Sequence, residues 1–202
     1  MKKRRVGIFG GTFNPPHIGH IEAAKAFVLE ADLDELLIIP AFIPPHKEYL
    51  SSVGCDERLE MCRLAFSDIE KTKISDIEIA RGGKSYTYLT LEDLAGDDRE
   101  LYLLVGTDMI LTMDEWKKPE IIFKLADICY VRRECDPSAS VHIERKLMLY
   151  RDSFCARIHE IKNDVTEISS SELRAVLSSG RDVSGYLTPS VEEFIKARGL
   201  YQ

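Results

Sequence analysis

The chain has 202 residues, of which 45% are hydrophobic, and it carries a formal net charge of −7 with an isoelectric point near 5.3. This length supports one well-buried core and is short for two ordinary domains. We therefore expect a single domain over residues 1–202, whose C-terminal part is helical from about residue 169. The acidic balance argues against binding nucleic acid or an anionic membrane through the overall electrostatic field.

Cysteine usage and hydropathy indicate a reducing, aqueous compartment. The five cysteines include no CxxC pair, and their odd number fits neither a disulfide framework nor a zinc knuckle. No apolar run reaches the length of a membrane span, and the basic start over residues 1–5 leads directly into the first predicted strand. We therefore expect a soluble, cytoplasmic protein with neither nucleic acid nor a membrane as a partner.

The first predicted element is a buried strand over residues 6–9, followed by a loop rich in glycine and proline. Gly10 and Gly11 permit a close backbone approach that a side chain would prevent. The proline pair at 15–16 keeps the preceding residues extended, so the next helix begins around Ile18. Together these signals predict a strand, a rigid loop and a helix N-terminus.

This predicted helix N-terminus has the character of an anion site. Its first N–H groups lack partners within the helix and the helix dipole adds partial positive charge, which together favour a phosphate. His17 and His20 are three residues apart in the first turn, so both side chains can face the same anion. The alternative is a tight turn with a solvated His17 and a capping or core His20, which the two glycines alone would favour.

Helices and strands alternate along the rest of the chain. Apolar residues at helical spacing predict helices over roughly 21–31, 59–69, 86–94, 119–125, 143–150, 170–177 and 191–196. Apolar runs predict further strands over 36–39, 74–79, 101–105, 128–131 and 158–161. Asp56 is the candidate N-cap of the second helix, and residues 132–140 are expected to form a loop. This alternation predicts parallel βαβ units and hence an α/β fold, a doubly wound parallel sheet covered by helices on both faces.

Three polar segments follow strands of this predicted sheet. The sequence GGTF follows the first strand, residues 40–47 follow the second, and residues 106–108 (GTD) follow the fourth. Because such sheets bind ligands outside the carboxyl ends of their strands, we expect these segments to share one edge. Taken alone, Lys47 would be a solvated loop lysine and GTD an ordinary turn.

Residues 168–174, ISSSELR, predict a second helix N-terminus. Ser169 and Glu172 have the spacing of a capping box, so this helix begins at about Ser170. Capping explains these residues but does not explain Arg174. One turn into the helix, Arg174 lies close enough to the N-terminus to share an anion with its N–H groups.

The motifs together resemble those of a known enzyme superfamily. The string GGTFNPPHIGH carries the HxGH signature of the nucleotidylyltransferases, here HIGH, which class I aminoacyl-tRNA synthetases also contain. Its PPHxGH form is similar to that of the bacterial nicotinate-nucleotide adenylyltransferases. The segments PPHK at 44–47, YTxxTL at 86–91, GxD at 106–108 and ISSSELR, in place of ISSTxIR, resemble further motifs of that family.

The resemblance implies a Rossmann-like nucleotidylyltransferase fold and a specific reaction. The family transfers the adenylyl group of ATP to nicotinate mononucleotide, giving nicotinate adenine dinucleotide and pyrophosphate in NAD biosynthesis. The expected route is direct in-line attack without a covalent enzyme intermediate. Mg²⁺ is expected with ATP, held mainly by substrate oxygens and water rather than by a dedicated metal site of the protein.

Roles carried over residue by residue make His17, His20 and Arg174 the catalytic candidates. The residues implied in ATP binding are Gly10, Gly11, Thr12, Phe13, His17, His20, Gly106, Asp108, Ile168, Ser169, Ser170 and Arg174. The residues implied in mononucleotide binding are Lys47, Tyr86, Thr87, Asp108 and Trp116. From the residues alone, Trp116 is equally a stacking partner for a planar ring and a buried anchor of its helix.

Two alternative functions remain open from the sequence. One is a sister nucleotidylyltransferase that acts on phosphopantetheine or on a sugar or alcohol phosphate. The other is a non-catalytic domain that senses a nucleotide. The sequence does not determine the choice between nicotinate and nicotinamide at the pyridine ring or the role of residues 132–157, and it is compatible with a homo-oligomer.

Overall fold

The computed structural model of the protein describes residues 2–45, 53–132, 137–162 and 169–202, with the side chains of 137–139 excluded. Two candidate site residues, Lys47 and Ile168, lie outside the described residues. Among the described helices, none is both long and apolar enough to cross a membrane.

Six parallel strands form one sheet in the part of the chain that the structure describes. They are β1 (Arg4–Gly11), β2 (Glu35–Pro40), β3 (Thr72–Ile74), β4 (Arg99–Gly106), β5 (Ala126–Val131) and β6 (Ile158–Ile161). Their spatial order is β3-β2-β1-β4-β5-β6, and every neighbouring pair is parallel. The strand order therefore reverses between β1 and β4, and the predicted doubly wound parallel sheet is confirmed.

Helices cover both faces of this sheet. They are α1 (Ile18–Glu30), α2 (Cys55–Ala65), α3 (Ile77–Arg81), α4 (Thr87–Leu94), α5 (Thr107–Ile110), α6 (Pro119–Leu125), α7 (Pro137–Phe154), α8 (Ser170–Ser178) and α9 (Pro189–Arg198). A 3₁₀ turn spans Met113–Glu115. Helices α1, α2, α8 and α9 contribute to the core on one face, and α4, α6 and α7 contribute to the core on the other.

The strand β2 shows why the apolar runs predict this arrangement. Leu36 and Ile38 join the core beneath α1 and α2, whereas Leu37 and Ile39 join the core on the opposite face. Successive side chains of a strand point to opposite faces, so a strand that is covered on both sides needs an unbroken apolar run.

The predicted strand over residues 74–79 is wrong after Ile74. Strand β3 ends at Ile74, and the chain then forms α3, in which the Ala80 N–H donates to the Asp76 oxygen at 2.7 Å. The isoleucines at 74, 77 and 79 fit a short strand and a short helix about equally well. Strand β3 lies at the edge of the described sheet and pairs with β2 alone, so no second strand on its other side stabilises a longer extended segment.

Two predicted boundaries also need correction. The N-cap of α2 is Gly54, and Asp56 lies in the first helical turn, where its carboxylate interacts favourably with the helix dipole. The loop expected over 132–140 is interrupted because α7 begins at Pro137. Proline fits a first helical turn since that position requires no backbone N–H.

Candidate active site

A cavity of about 510 Å³ lies at the carboxyl ends of β1, β2 and β4, within the size range of small-molecule sites. The predicted site residues that line it are Gly10, Gly11, Thr12, Phe13, His17, His20, Thr87, Gly106, Asp108, Trp116, Ser169, Ser170 and Arg174. Tyr86 is not among the lining residues. The reversal of strand order thus coincides with the predicted motifs, as expected for an open α/β sheet.

The loop after β1 is supported from within by Phe13. This residue is buried, with its backbone in the left-handed region at φ 48°. Its ring meets the Phe66 and His20 rings edge-on, with centroids 5.7 and 5.1 Å apart. Gly11 permits this packing, since a Cβ there would lie 2.9 Å from the Phe13 ring. Gly10, by contrast, has open space where a Cβ would be and forms part of the cavity wall.

The two histidines lie side by side in the first turn of α1. His17 is buried and His20 is half-buried, and their ring centroids are 3.7 Å apart. The His17 backbone N–H donates to Nδ1 of His20 at 3.2 Å. Because Nδ1 of His20 accepts this hydrogen bond, the neutral ring carries its proton on Nε2.

The capping box predicted for α8 is confirmed. The Glu172 N–H donates to Oγ of Ser169 at 3.2 Å, and the Glu172 carboxylate accepts from the Ser169 hydroxyl and N–H at 2.7 and 2.9 Å. These hydrogen bonds from Ser169 hold the pKa of the Glu172 carboxyl below its ordinary value. The box fixes the start of α8 at the cavity, where its N-terminus faces the same space as the first turn of α1.

Arg174 connects α8 to the loop before α1. Its Nη1 donates to the backbone oxygens of Asn14 at 2.9 Å and Ser170 at 3.2 Å, and its Nη2 donates to Oγ of Ser171 at 3.1 Å. The Ser170 hydroxyl adds a hydrogen bond to the Pro15 oxygen at 3.0 Å. The guanidinium therefore lines the cavity and also holds the two helix N-termini in one arrangement.

The opposite wall is formed where the loop after β2 meets the segment before α4. The Phe42 N–H donates to Oγ of Ser85 at 2.8 Å, and the Ser85 N–H donates to the Ile43 oxygen at 2.9 Å. Thr87 then begins α4 at the cavity wall. Tyr86 is half-buried and is the N-cap residue of α4. Ser85 thus fixes the distance between the two segments that follow β2 and α3.

The sequence-based prediction missed Arg58, which is fully buried. Its Nη1 donates to the Thr12 oxygen at 2.8 Å and its Nη2 to the Ala41 oxygen at 2.6 Å, so one side chain joins the loops after β1 and β2. A signal was present in the spacing, because Arg58 shares the helix stripe of Cys62 and Ala65, both of which are buried. A charged residue on an apolar stripe indicates a buried partner.

A second network behind the cavity wall was also missed. Glu78 of α3 is buried and lines the cavity, and its Oε1 accepts a hydrogen bond from the Thr90 hydroxyl at 2.6 Å. Arg81 donates to Oγ1 of Thr90 at 2.8 Å and to the Asp93 carboxylate at 2.7 Å. These contacts dock α3 onto α4, and only the folded chain brings them together.

Asp108 and Trp116 line the third side of the cavity. Asp108 is exposed in the first turn of α5, and Trp116 is half-buried against the core on the α6 face. Just before Trp116, the Asp114 carboxylate accepts hydrogen bonds from Nζ of Lys146 at 2.7 Å and from the Tyr150 hydroxyl at 2.9 Å. Burial by itself would raise the pKa of Asp114, but these hydrogen bonds outweigh burial and hold the pKa below its ordinary value.

The cavity contains both cationic and anionic side chains. His17, His20 and Arg174 line it together with Asp108 and Glu78. Within the described ranges, no group of three or more His, Cys, Asp or Glu side chains is placed to hold a metal ion.

Comparisons with known proteins agree with this geometry. Residues 8–176 match the model of the cytidylyltransferase-like family. A probable nicotinate-nucleotide adenylyltransferase from Desulfatibacillum aliphaticivorans is 33% identical over 214 aligned positions, covering 98% of this chain and 99% of that protein. The corresponding protein of Shouchella clausii is also 33% identical, covering 98% of this chain and 97% of that one.

Among solved structures, the nicotinic acid mononucleotide adenylyltransferase of Plasmodium falciparum in complex with NaAD has a similar fold. Its TM-score is 0.76 at 18% sequence identity, with 98% of this chain and 97% of that chain covered. The chain therefore belongs to the cytidylyltransferase-like family and, within it, to the family of the nicotinate-nucleotide adenylyltransferases.

Proposed function

We propose that the protein transfers the adenylyl group of MgATP to nicotinate mononucleotide, giving nicotinate adenine dinucleotide and pyrophosphate in NAD biosynthesis. The observation that carries this proposal is the meeting of two helix N-termini, two histidines and one arginine in a single cavity. The first turns of α1 and α8, His17, His20 and Arg174 all line it. Such an arrangement is suited to a triphosphate, since each helix end contributes N–H donors and partial positive charge.

The proposed reaction is a direct in-line displacement. A phosphate oxygen of the mononucleotide attacks the α-phosphorus of ATP and forms the new P–O bond. The bond from the α-phosphorus to the bridging oxygen breaks, and that oxygen leaves with its electron pair on pyrophosphate. The protein lowers the barrier by holding two polyanions in line and by stabilising the charge that develops on the leaving group.

The cationic wall of the cavity is assigned to ATP. The neutral His20 ring carries its N–H donor on Nε2, because Nδ1 accepts from the His17 N–H. His17 and Arg174 add donors to the same space, and Gly10 leaves room for a close approach of the ligand. The other residues assigned to ATP are Gly11, Thr12, Phe13, Gly106, Asp108, Ile168, Ser169 and Ser170.

The other two sides of the cavity are assigned to the mononucleotide. Thr87 lines one of them, Asp108 and Trp116 line the other, and we assign Trp116 to stacking on the pyridine ring. Stacking of two rings contributes about 1 kcal/mol beyond area burial. Tyr86 is adjacent to Thr87 but outside the cavity wall, so its contact with the ring would require the side chain to turn inward. Lys47, beyond the described residues, is assigned to the mononucleotide phosphate from the PPHK motif.

Magnesium enters this proposal as part of the substrate MgATP. The triphosphate and water supply most ligands of the ion, which agrees with a cavity that carries few carboxylates. The ion neutralises charge on the phosphates and so complements the histidines and the arginine. We assign the reaction to the cytoplasm.

Pyrophosphate release in the presence of MgATP and a panel of acceptor phosphates tests the proposal. Nicotinate mononucleotide, nicotinamide mononucleotide, phosphopantetheine and a sugar phosphate are compared at equal concentration, with a reaction lacking any acceptor as control. We expect the highest kcat/KM with nicotinate mononucleotide. A higher value for phosphopantetheine or the sugar phosphate would indicate a sister nucleotidylyltransferase, and ATP binding without turnover for every acceptor would indicate a sensor.

A further inference from the structure

The C-terminal part of the chain returns to the loop that precedes α1. The Ile18 N–H donates to the Tyr186 oxygen at 2.9 Å, and the hydroxyl of Ser170 donates to the Pro15 oxygen at 3.0 Å. Tyr201, near the C-terminal end, also reaches this region and lines the candidate active-site cavity. Segments about as far apart in sequence as the chain permits therefore meet at the candidate active site.

Local structure at the end of α9 directs Tyr201 to this position. Gly199 ends the helix in the left-handed conformation at φ 60°, a position that favours glycine. The Leu200 N–H then donates back to the Ile195 oxygen at 3.0 Å, and Leu200 packs against the core on the α1 face. The chain is thus turned back onto the protein, and Tyr201 follows at φ 65°, an uncommon conformation for a residue with a side chain.

Tyr201 contacts the ATP side of the cavity through Asn14. Its hydroxyl donates to Oδ1 of Asn14 at 2.5 Å, and Asn14 is 4% exposed. The backbone oxygen of the same asparagine accepts from Arg174 at 2.9 Å. Asn14 is therefore held from two directions, and it lies three residues before His17 in the loop that leads into α1.

We propose that Tyr201 is a positioning residue for the ATP phosphates, and that it acts through Asn14. Its hydroxyl fixes the Asn14 side chain and thereby the loop over residues 12–17, so the donors around His17 and His20 are in place before the nucleotide arrives. A loop that is already ordered loses less conformational entropy on binding, which raises affinity. This inference rests on the proposed function for the identity of the nucleotide and extends it to a residue of the C-terminal end.

Binding of ATP alone, measured by titration calorimetry without any acceptor, tests the inference with Tyr201→Phe. The substitution keeps the ring and removes one hydrogen bond, so we expect the Kd for ATP to rise about three- to tenfold, with little change in Tm. The KM for nicotinate mononucleotide should stay close to that of the wild type. An ATP affinity equal to the wild-type value would overturn the inference.

Tyr102→Phe is the matched control. The Tyr102 hydroxyl also joins distant segments, since it accepts from Nε of Arg5 at 3.2 Å, but it lies near the amino ends of β1 and β4. We expect this variant to bind ATP as the wild type does. An equal loss of affinity in both variants would mean that the effect of Tyr201→Phe is general, and would also overturn the inference.

A double-mutant cycle separates action through Asn14 from an independent contact. If Tyr201 acts through Asn14, Tyr201→Phe has no further effect on the ATP Kd once Asn14→Ala is present. Additive effects would contradict this route; should Asn14→Ala fail to fold, Tyr201→Phe and its control decide the case alone. The calorimetry contains no acceptor phosphate, so its result does not depend on which acceptor the enzyme uses. If the pyrophosphate-release assay showed a different acceptor, the proposed function would be overturned but the effect of Tyr201 on ATP binding would remain. Failure of the wild type to bind ATP would overturn both.

Discussion

Arg58 stabilises the site although it does not line the cavity. The side chain is fully buried, and it donates to backbone oxygens of Thr12 and Ala41, which lie in the loops after β1 and β2. A guanidinium carries several donors in one rigid plane, so it can satisfy two carbonyl groups at different positions. An apolar residue at this position supplies neither hydrogen bond.

We expect Arg58→Met to lower the free energy of unfolding by about 2–4 kcal/mol, because the carbonyl oxygens of Thr12 and Ala41 lose charged donors, the second of them in a buried position. Urea denaturation measures the change. Arg63→Met is the matched control, since Arg63 lies on the exposed side of the same helix and pairs with Glu60 in solvent. The control should change stability far less, and equal losses in the two variants would contradict a role for Arg58 in joining the loops.

At the same scale, His20 is assigned to charge stabilisation. We expect His20→Ala to lower single-turnover rates at saturating ATP by roughly a hundredfold or more, the effect of removing one preorganised donor. Circular dichroism and Tm should show that the variant is folded. His159→Ala is the control, because His159 is exposed on β6 and pairs with Asp127. An unchanged rate for His20→Ala would rule out this role.

At the scale of elements, β1 combines two kinds of glycine. A Cβ on Gly7 would lie 2.3 Å from Cδ1 of Leu33 and 2.9 Å from Cε1 of Phe27, so this glycine permits the close packing of α1 on the sheet. A Cβ on Gly10 would have no neighbour within 4 Å. Gly7 is therefore required for packing of the core, and Gly10 leaves space in the cavity.

Gly7→Ala should consequently affect stability, whereas Gly10→Ala should affect ATP binding. We expect Gly7→Ala to lower the free energy of unfolding by about 1–3 kcal/mol through overpacking, with ATP affinity retained in the folded fraction. Gly10→Ala should keep the stability of the wild type and bind ATP more weakly, because its methyl group enters the cavity. Urea denaturation and calorimetry of both variants test this pair, and a stable Gly7→Ala variant would contradict the packing argument.

Elements were predictable where the signal is local. The start of α1 follows from two prolines, the start of α8 from the Ser169 and Glu172 spacing, and β2 from an unbroken apolar run. The turn at α3 was missed because a segment of a few residues fits two periodicities. The beginning of α7 was missed because proline is compatible with a loop and with a first helical turn.

At the scale of the whole molecule, the proposed function divides the cavity into an ATP side and a mononucleotide side. The ATP side comprises the first turn of α1 and the start of α8, the mononucleotide side comprises the start of α4 and Trp116, and Asp108 is assigned to both ligands. Each side combines segments that are remote in sequence. Ligands should therefore order several segments together.

Hydrogen–deuterium exchange of peptides tests this division. We expect ATP to slow exchange in residues 8–20 and 169–186, nicotinate mononucleotide to slow it in 84–91, and both ligands to slow it in 106–116. Peptides from residues 67–74, at the β3 edge of the sheet, serve as the control and should be unaffected. Protection by ATP that is confined to 84–91 would reverse the assignment of the two sides.

By itself, the sequence determined the alternation of strands and helices, the loop of the GGTFNPPHIGH motif and the capping box of α8. These features depend on residues within one or two turns of each other, so periodicity and spacing encode them. Only the tertiary structure decided that Glu78, Asn14 and Tyr201 line one cavity, that Arg58 joins the loops after β1 and β2, and that Tyr86 lies outside the cavity wall. Such contacts join residues that are far apart in sequence. They form only where the crossover connections of the sheet bring those segments together, and a local sequence pattern does not specify these positions.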